Sequence, residues 1–182
     1  MCEWENLLDR YTERFPELAA DLMRRVDGKL HPEWKQRLLS FEIATNDIPI
    51  RQASGQVFDL LWNTLPLIGG SADLADPNHT LKVPKEVFGA PEDGVANLSF
   101  TGHYVHYGTR EHGMFAFSNG IAAYAPRAFI PITATFSMFQ LYGAAAIRMS
   151  ALNRLQVIHI GTHDSIAEGA CGPTHQVCNA RG

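Results

Sequence analysis

Between Asp93 and Asp164 the chain carries a single carboxylate, Glu111, set in the stretch FTGHYVHYGTREHGMFAFSNGIAA (residues 100–123). A carboxylate so isolated has three uses. It can pair with Arg110 or Arg148, or complement the positive end of a helix dipole from the first turn. It can also do acid–base chemistry, for which an apolar setting tunes the proton affinity of a carboxyl group. The local pattern is a short extended run from Tyr104 to Tyr107, a turn at Gly108, and a helix opening near Glu111. Parallel sheets bind ligands at that kind of place, where strands end and helices begin.

Other residue types gather at comparable places. GGSAD (69–73) puts two glycines at a strand end with a carboxylate, Asp73, just beyond. THDS (162–165) and GPTHQ (172–176) put His163 and His175 in loops after a later strand, as a polar pocket requires. A metal centre is the rival reading of these histidines. However, His163, His175 and Asp164 lack the i,i+4 helical spacing or paired cysteines of such sites, and His103, His106 and His112 fit no ligand spacing either. The reading is therefore of no metal held by this chain. Phe136, Phe139 and Tyr142 recur at i, i+3, i+6, and on periodicity alone they read as core.

The elements that must position these groups follow from hydrophobic pattern. Arg51–Thr64 reads as an amphipathic helix, Leu67–Ser71 as a buried strand, and residues 75–100 as a long loop rich in Pro, Gly, Asn and Asp. Glu111–Tyr124 reads as a helix, Phe129–Ala134 as a strand, Phe136–Leu152 as one long helix, and Val157–Gly161 as a β-branched strand. Strands alternating with helices imply an α/β fold, a parallel sheet flanked by helices on both faces. Upstream, Trp4, Leu7, Leu8, Tyr11, Leu18, Leu22 and Val26 recur at helical spacing, and Pro16 suits the first turn of a second helix. Residues 1–46 thus form a helical segment lying on a surface, and residues 47–182 the domain proper.

The 182 residues suffice for one core, and 46% hydrophobic with 19% charged residues describes a globular chain. A net charge of −4 without a basic run speaks against nucleic-acid binding, and no apolar stretch approaches a membrane span. The three cysteines form no CxxC pair, so a reduced, cytoplasmic setting is the expectation.

Four motifs in order, IGGSADL, YGTREHGM, ATFSMF with LYGAAAIRMSAL, and THDSIAEGACGPTHQ, resemble the pyrimidine-binding domain of the transketolase and dihydroxyacetone synthase family. The resemblance is dense over residues 66–176. It implies a thiamine-diphosphate-binding fold and a two-carbon (glycolaldehyde) ketol transferase, working as a homodimer on a sugar-phosphate ketose donor and a small aldehyde acceptor. It also implies roles. Glu111 would hydrogen-bond N1′ of the cofactor's aminopyrimidine and assist proton removal from C2. Asp73 would line the cofactor pocket, and Phe136, Phe139 and Tyr142 would stack on the pyrimidine, against the core reading. His163 and His175 would contact substrate hydroxyls and carbonyl, and Arg51 would hold the sugar phosphate. A peroxisomal location accompanies the dihydroxyacetone-synthase branch.

The departures also carry expectations. Pro77 stands near the family's phosphate-binding serine, and the family's GEDGPTHQ reads GACGPTHQ, with Cys171 in place of an aspartate. No GDG…N motif for metal and diphosphate is present, so Mg2+ or Ca2+ would be bound by a domain absent from this chain. The C-terminus reads as truncated after THQ. Two readings stand: a fragment of such a transferase, inactive in isolation, or a non-catalytic paralogue or truncated gene product that keeps only the fold and dimer surface.

Overall fold

The computed structural model describes residues 2–43, 47–81, 85–91, 97–164 and 172–175. Two helices, α1 (Cys2–Arg14) and α2 (Pro16–Val26), pack on each other, with Pro16 in the first turn of α2. Asp21 accepts from both Arg24 and Arg25, so the polar side of α2 is held by neighbouring charges on one helix face. The apolar side stays largely open: Trp4, Leu18 and Val26 are exposed. After α3 (Trp34–Leu39), α4 (Ile50–Trp62) starts directly behind Pro49, whose extended backbone cannot continue a helix backwards.

Three parallel strands follow: β1 (Leu67–Ser71), β4 (Ile130–Phe136) and β5 (Ile158–Thr162), in the order β1-β4-β5. All seven residues of the central strand β4 are buried, as expected of a parallel strand covered on both faces. Pro131 is tolerated there for a reason of register. The Ile130 N–H points toward β1, at Pro66, so the N–H that Pro131 lacks falls on the β5 side, where pairing begins only at Ile132. Gly69 has a φ of +138°, and a Cβ there would run into the Ile132 carbonyl, so only glycine lets β1 lie this close to β4.

One face of the sheet carries Phe58, Leu67, Ile130 and Ile132, with Leu30, Leu61 and Trp62 packed on them. The other carries Ala72, just past β1, with Met114 and Phe115 of α5 (Glu111–Tyr124) and Ala146 of α6 (Ala144–Leu152). The expected α/β fold with helices on both faces is observed. Lys85 is buried beside α4, its Nζ 2.5 Å from Asp59 and over the Phe58 and Trp62 rings. No helix among the described residues is long and apolar enough to cross a membrane.

Three expectations need correction. The stretch 75–100 is not all loop: β2 (Val87–Phe88) and β3 (Leu98–Ser99) pair in parallel within it. The strand expected at Tyr104–Tyr107 shrinks to Tyr104, which bridges Gly69 and Val87 and so joins the two sheets. Tyr104 is fully buried, its hydroxyl shared with Thr80, and burial pushes the phenol up to about 12. Beyond it Val105 N–H still donates to the Gly69 carbonyl at 2.9 Å, and only at Tyr107 does the bond to β1 lengthen, its N–H reaching Ser71 at 3.4 Å.

The single helix expected over Phe136–Leu152 is instead a 3₁₀ stretch, Ser137–Gly143, followed by α6. Phe136 itself is the extended last residue of β4. The tighter coil keeps Ser137 and Gln140 against Gly161 of β5, and Gly143 sits where a Cβ would overlap the Phe115 ring.

Candidate functional site

The parallel strands end on one side of the molecule, and the chemistry-bearing residues are strung along those ends. Ser71 closes β1 and Asp73 follows at φ +63°; Thr162 closes β5 and His163 follows at φ +55°. Two non-glycine residues in the left-handed region at two strand ends are a mild strain, held in place by the surrounding packing, and such strain concentrates at functional loops. Phe136 ends β4, Arg51 stands in the first turn of α4, Glu111 opens α5, and His175 ends the short helix α7 (Gly172–His175).

Five of the expected site residues meet directly. The His163 ring lies 3.7 Å from the Phe136 ring, centroid to centroid, inclined by 27°. Phe136 and Phe139 stack nearly parallel at 5.7 Å and 8°. His175 approaches both rings edge-on, at 5.8 and 5.0 Å. Arg51 Nη1 reaches His163 Nε2 at 3.0 Å. Tyr142 extends the aromatic row, 6.0 Å from Phe139, and its ring is mostly exposed. Phe136 is both core and site: buried from solvent, yet facing two histidines.

Glu111 and Asp73 stand outside this contact cluster. The Glu111 carboxylate is half-buried and makes no hydrogen bond or ion pair among the described residues. Arg110, its sequence neighbour, instead donates to the Tyr107 carbonyl at 3.1 Å. Of the three uses open to this acid, the ion pair with Arg110 or Arg148 is not made; it sits in the first helical turn, free to bind something else. Asp73 is exposed at the rim.

The sequence reading missed the polar chain beneath His163. Thr162 Oγ1 lies 2.8 Å from His163 Nδ1 and 2.5 Å from Asn78 Oδ1, and Asn78 Nδ2 donates to Ser71 Oγ at 3.0 Å. The Leu74 N–H also donates to Ser71 Oγ, at 3.1 Å. Ser71, Asn78 and Thr162 are all buried. Thr162 and Ser71 lie inside the motifs already singled out, whereas Asn78 sits in a polar loop with nothing in its neighbours to mark it.

Among the described residues no group of three or more His, Cys, Asp or Glu could hold a metal ion. A groove of about 770 Å³ opens at the opposite ends of the strands, lined by Asn119, Arg127, Phe129, Asn153 and Arg154 among others, and shares no residue with the aromatic cluster. Size alone therefore does not locate the chemistry. Pro77 is exposed near the β1 end, and Cys171 lies outside the described residues.

Comparison with known proteins gives a consistent result. A family profile, "Transketolase, pyrimidine binding domain", matches residues 46–180. The chain is 42% identical over 180 residues to dihydroxyacetone synthase of Pichia angusta, covering 97% of this chain and 25% of that protein. It is 42% identical over 175 residues to transketolase 1 of Saccharomyces cerevisiae, covering 96% and 25%. Among solved structures it resembles a Pichia stipitis transketolase in complex with sedoheptulose 7-phosphate, with a TM-score of 0.86 and 39% identity over 96% of this chain and 25% of that one. The chain thus spans about a quarter of the length of the relatives it matches.

Proposed function

Because the chain belongs to the transketolase pyrimidine-binding-domain family, we propose that it supplies the pyrimidine-side half of the active site of a thiamine-diphosphate-dependent ketol transferase. Two features together carry this reading: a Glu111 carboxylate at a helix start with no partner among the described residues, and a parallel Phe136–Phe139 stack at the strand ends. Those features suit an aminopyrimidine, which offers a flat ring to an aromatic face and a ring nitrogen to a carboxylate. Thiamine diphosphate, when bound, supplies an acidic C2–H and an electron sink for cleaving a ketose carbon–carbon bond.

The residues then divide the work. Glu111 holds a proton at the ring's N1′, and with no cation paired to it among the described residues that proton stays available. Phe136, Phe139 and Tyr142 present the stacking faces, and Asp73 lines the pocket. His163 and His175 contact the donor's hydroxyls and carbonyl. Arg51, with its fork of donors, grips the sugar phosphate. On this reading residues 1–46 link to a second domain that binds the diphosphate through Mg2+ or Ca2+, residues 47–182 form the pyrimidine domain, and the working unit is a homodimer in the cytoplasm or peroxisome. With Pro77 and Cys171 in place of a hydroxyl and a carboxylate, the acceptor is a small aldehyde.

The test uses thiamine's aminopyrimidine fragment, 4-amino-5-hydroxymethyl-2-methylpyrimidine, titrated into the 15N-labelled chain. Amide shifts centred on Glu111, Phe136 and Phe139 are expected; shifts centred elsewhere, or none up to solubility, refute the assignment.

A further inference from the structure

The hydrogen bonds beneath His163 can be given a direction, because one member of the chain has no choice. An arginine guanidinium only donates, so at 3.0 Å from Arg51 Nη1 the Nε2 atom of His163 must offer a lone pair. A neutral imidazole that accepts at Nε2 carries its proton at Nδ1, and that proton points at Thr162 Oγ1, 2.8 Å away. Thr162 therefore sends its own hydroxyl proton to the remaining partner, the Asn78 side-chain oxygen at 2.5 Å. With that oxygen so used, the Asn78 amide NH2 faces Ser71 Oγ at 3.0 Å.

Reversing any link breaks another. If the Asn78 amide were flipped, its NH2 would donate to Thr162, and Thr162 would turn its proton onto Nδ1. That would leave an N–H on Nε2 facing the Arg51 cation, donor against donor.

We infer that Asn78 and Thr162 are positioning residues that lock His163 as the Nδ1-protonated tautomer, with Nε2 an acceptor that Arg51 occupies. Both are buried, Asn78 at 2% and Thr162 at 5% exposure, so water does not offer the chain an alternative partner. The left-handed backbone at His163 and the face of Phe136 hold the ring in the same plane from the other side.

The consequence for ligands, which rests on the function proposed above, concerns the class of group this histidine meets. In this state it can accept from a hydroxyl but cannot donate to an anionic oxygen. A ligand that draws Arg51 away with its own anion would free the Nε2 lone pair for that hydroxyl. The site would thus couple recognition of an anionic group to recognition of a neighbouring hydroxyl.

The tautomer is readable without any turnover, by long-range 1H–15N correlation on the ligand-free chain, with His163→Gln identifying the signals. The expected pattern is a pyrrole-type Nδ1 and a pyridine-type Nε2. Arg51→Met alone should keep that pattern, because Asn78 and Thr162 still hold it; adding Thr162→Val, which keeps the β-branched shape and removes the hydroxyl, should let the two nitrogens move toward averaged shifts. Asn78→Asp, which keeps the acceptor, should preserve the wild-type pattern. A protonated Nε2 in the unmodified chain, or shifts in the Arg51→Met, Thr162→Val double variant that match those of Arg51→Met alone, overturns the inference. Should the double variant not fold, Asn78→Leu in the same Arg51→Met background serves as the second disruption, judged by the same shifts. Failure of the cofactor reading would leave these shifts untouched, so the two claims fall separately.

Discussion

Replacing Asp59 by Asn removes the charge that faces Lys85 while leaving shape almost unchanged. The Lys85 side chain is 2% exposed and Asp59 20%, with Nζ and Oδ1 2.5 Å apart. Breaking a buried ion pair by neutralising one partner costs about 3–5 kcal/mol, because the other charge stays out of water. Two features lower the figure: Asp59 is partly solvated, and the Phe58 and Trp62 rings still face the ammonium at 5.1 and 5.6 Å, a contact worth about 0.5–2 kcal/mol. The expected loss is therefore about 2–3 kcal/mol, which at about 2–4 °C per kcal/mol for a chain of this size lowers the midpoint by about 4–12 °C. Lys85→Met removes the buried charge and leaves a carboxylate that can turn toward water, so it should cost less, under about 1.5 kcal/mol. Circular dichroism melts and urea titrations of both variants check the order. The same helix α4 carries Arg51, so the Asp59 variant should also loosen the Arg51–His163 contact. An Asp59→Asn chain within 0.5 kcal/mol of the parent, or a Lys85→Met chain less stable than it, would refute the reasoning.

Acid sensitivity should come from two imidazoles. Burial holds both His103 and His159 below the ordinary value, with the Arg25 charge adding to the effect on His103. On acidification the unfolded chain takes up those protons first, so their contribution is full above about pH 6.5 and declines below it; the urea midpoint should fall from pH 7 to pH 5, less so in His159→Gln, and a midpoint that rises contradicts this. In a longer protein carrying this segment, kcat/KM with one ketose donor should favour formaldehyde over ribose 5-phosphate. Each hydrogen bond to a charged group lost at Pro77 and Cys171 costs about 1.5–3 kcal/mol, or about ten- to a hundredfold; a preference for ribose 5-phosphate would count against a small-aldehyde acceptor.

Hydrophobic period and strand-end glycines made the layered fold readable. β1 and α5 fall where alternation and periodicity put them, and Gly69 explains why LIGGS must lie flat on β4. What periodicity could not show was tertiary override. Ser137–Gly143 has the composition of a helix, but contacts with Gly161 and Phe115 wind it tighter. Two-residue strands such as β2 and β3 are too short to leave a period of two, and they exist because Tyr104 bridges β2 to β1. In the site, Phe136, Phe139, His163 and His175 were identifiable through ordered motifs, and the structure brings them into contact. Asn78 was not, because a buried polar relay is defined by partners 7 and 84 residues away along the chain.

The central claim is that Glu111 is the carboxylate of a pyrimidine-binding site, and its most direct measurement is turnover with and without that carboxylate. In a longer protein carrying this segment, ketol transfer should require thiamine diphosphate. Glu111→Gln, which keeps size and one hydrogen bond, should lower kcat by about 10²–10⁴, the worth of a positioned acid–base group. Cofactor affinity should change far less. A Glu111→Gln protein that turns over at the parent's rate would contradict the account.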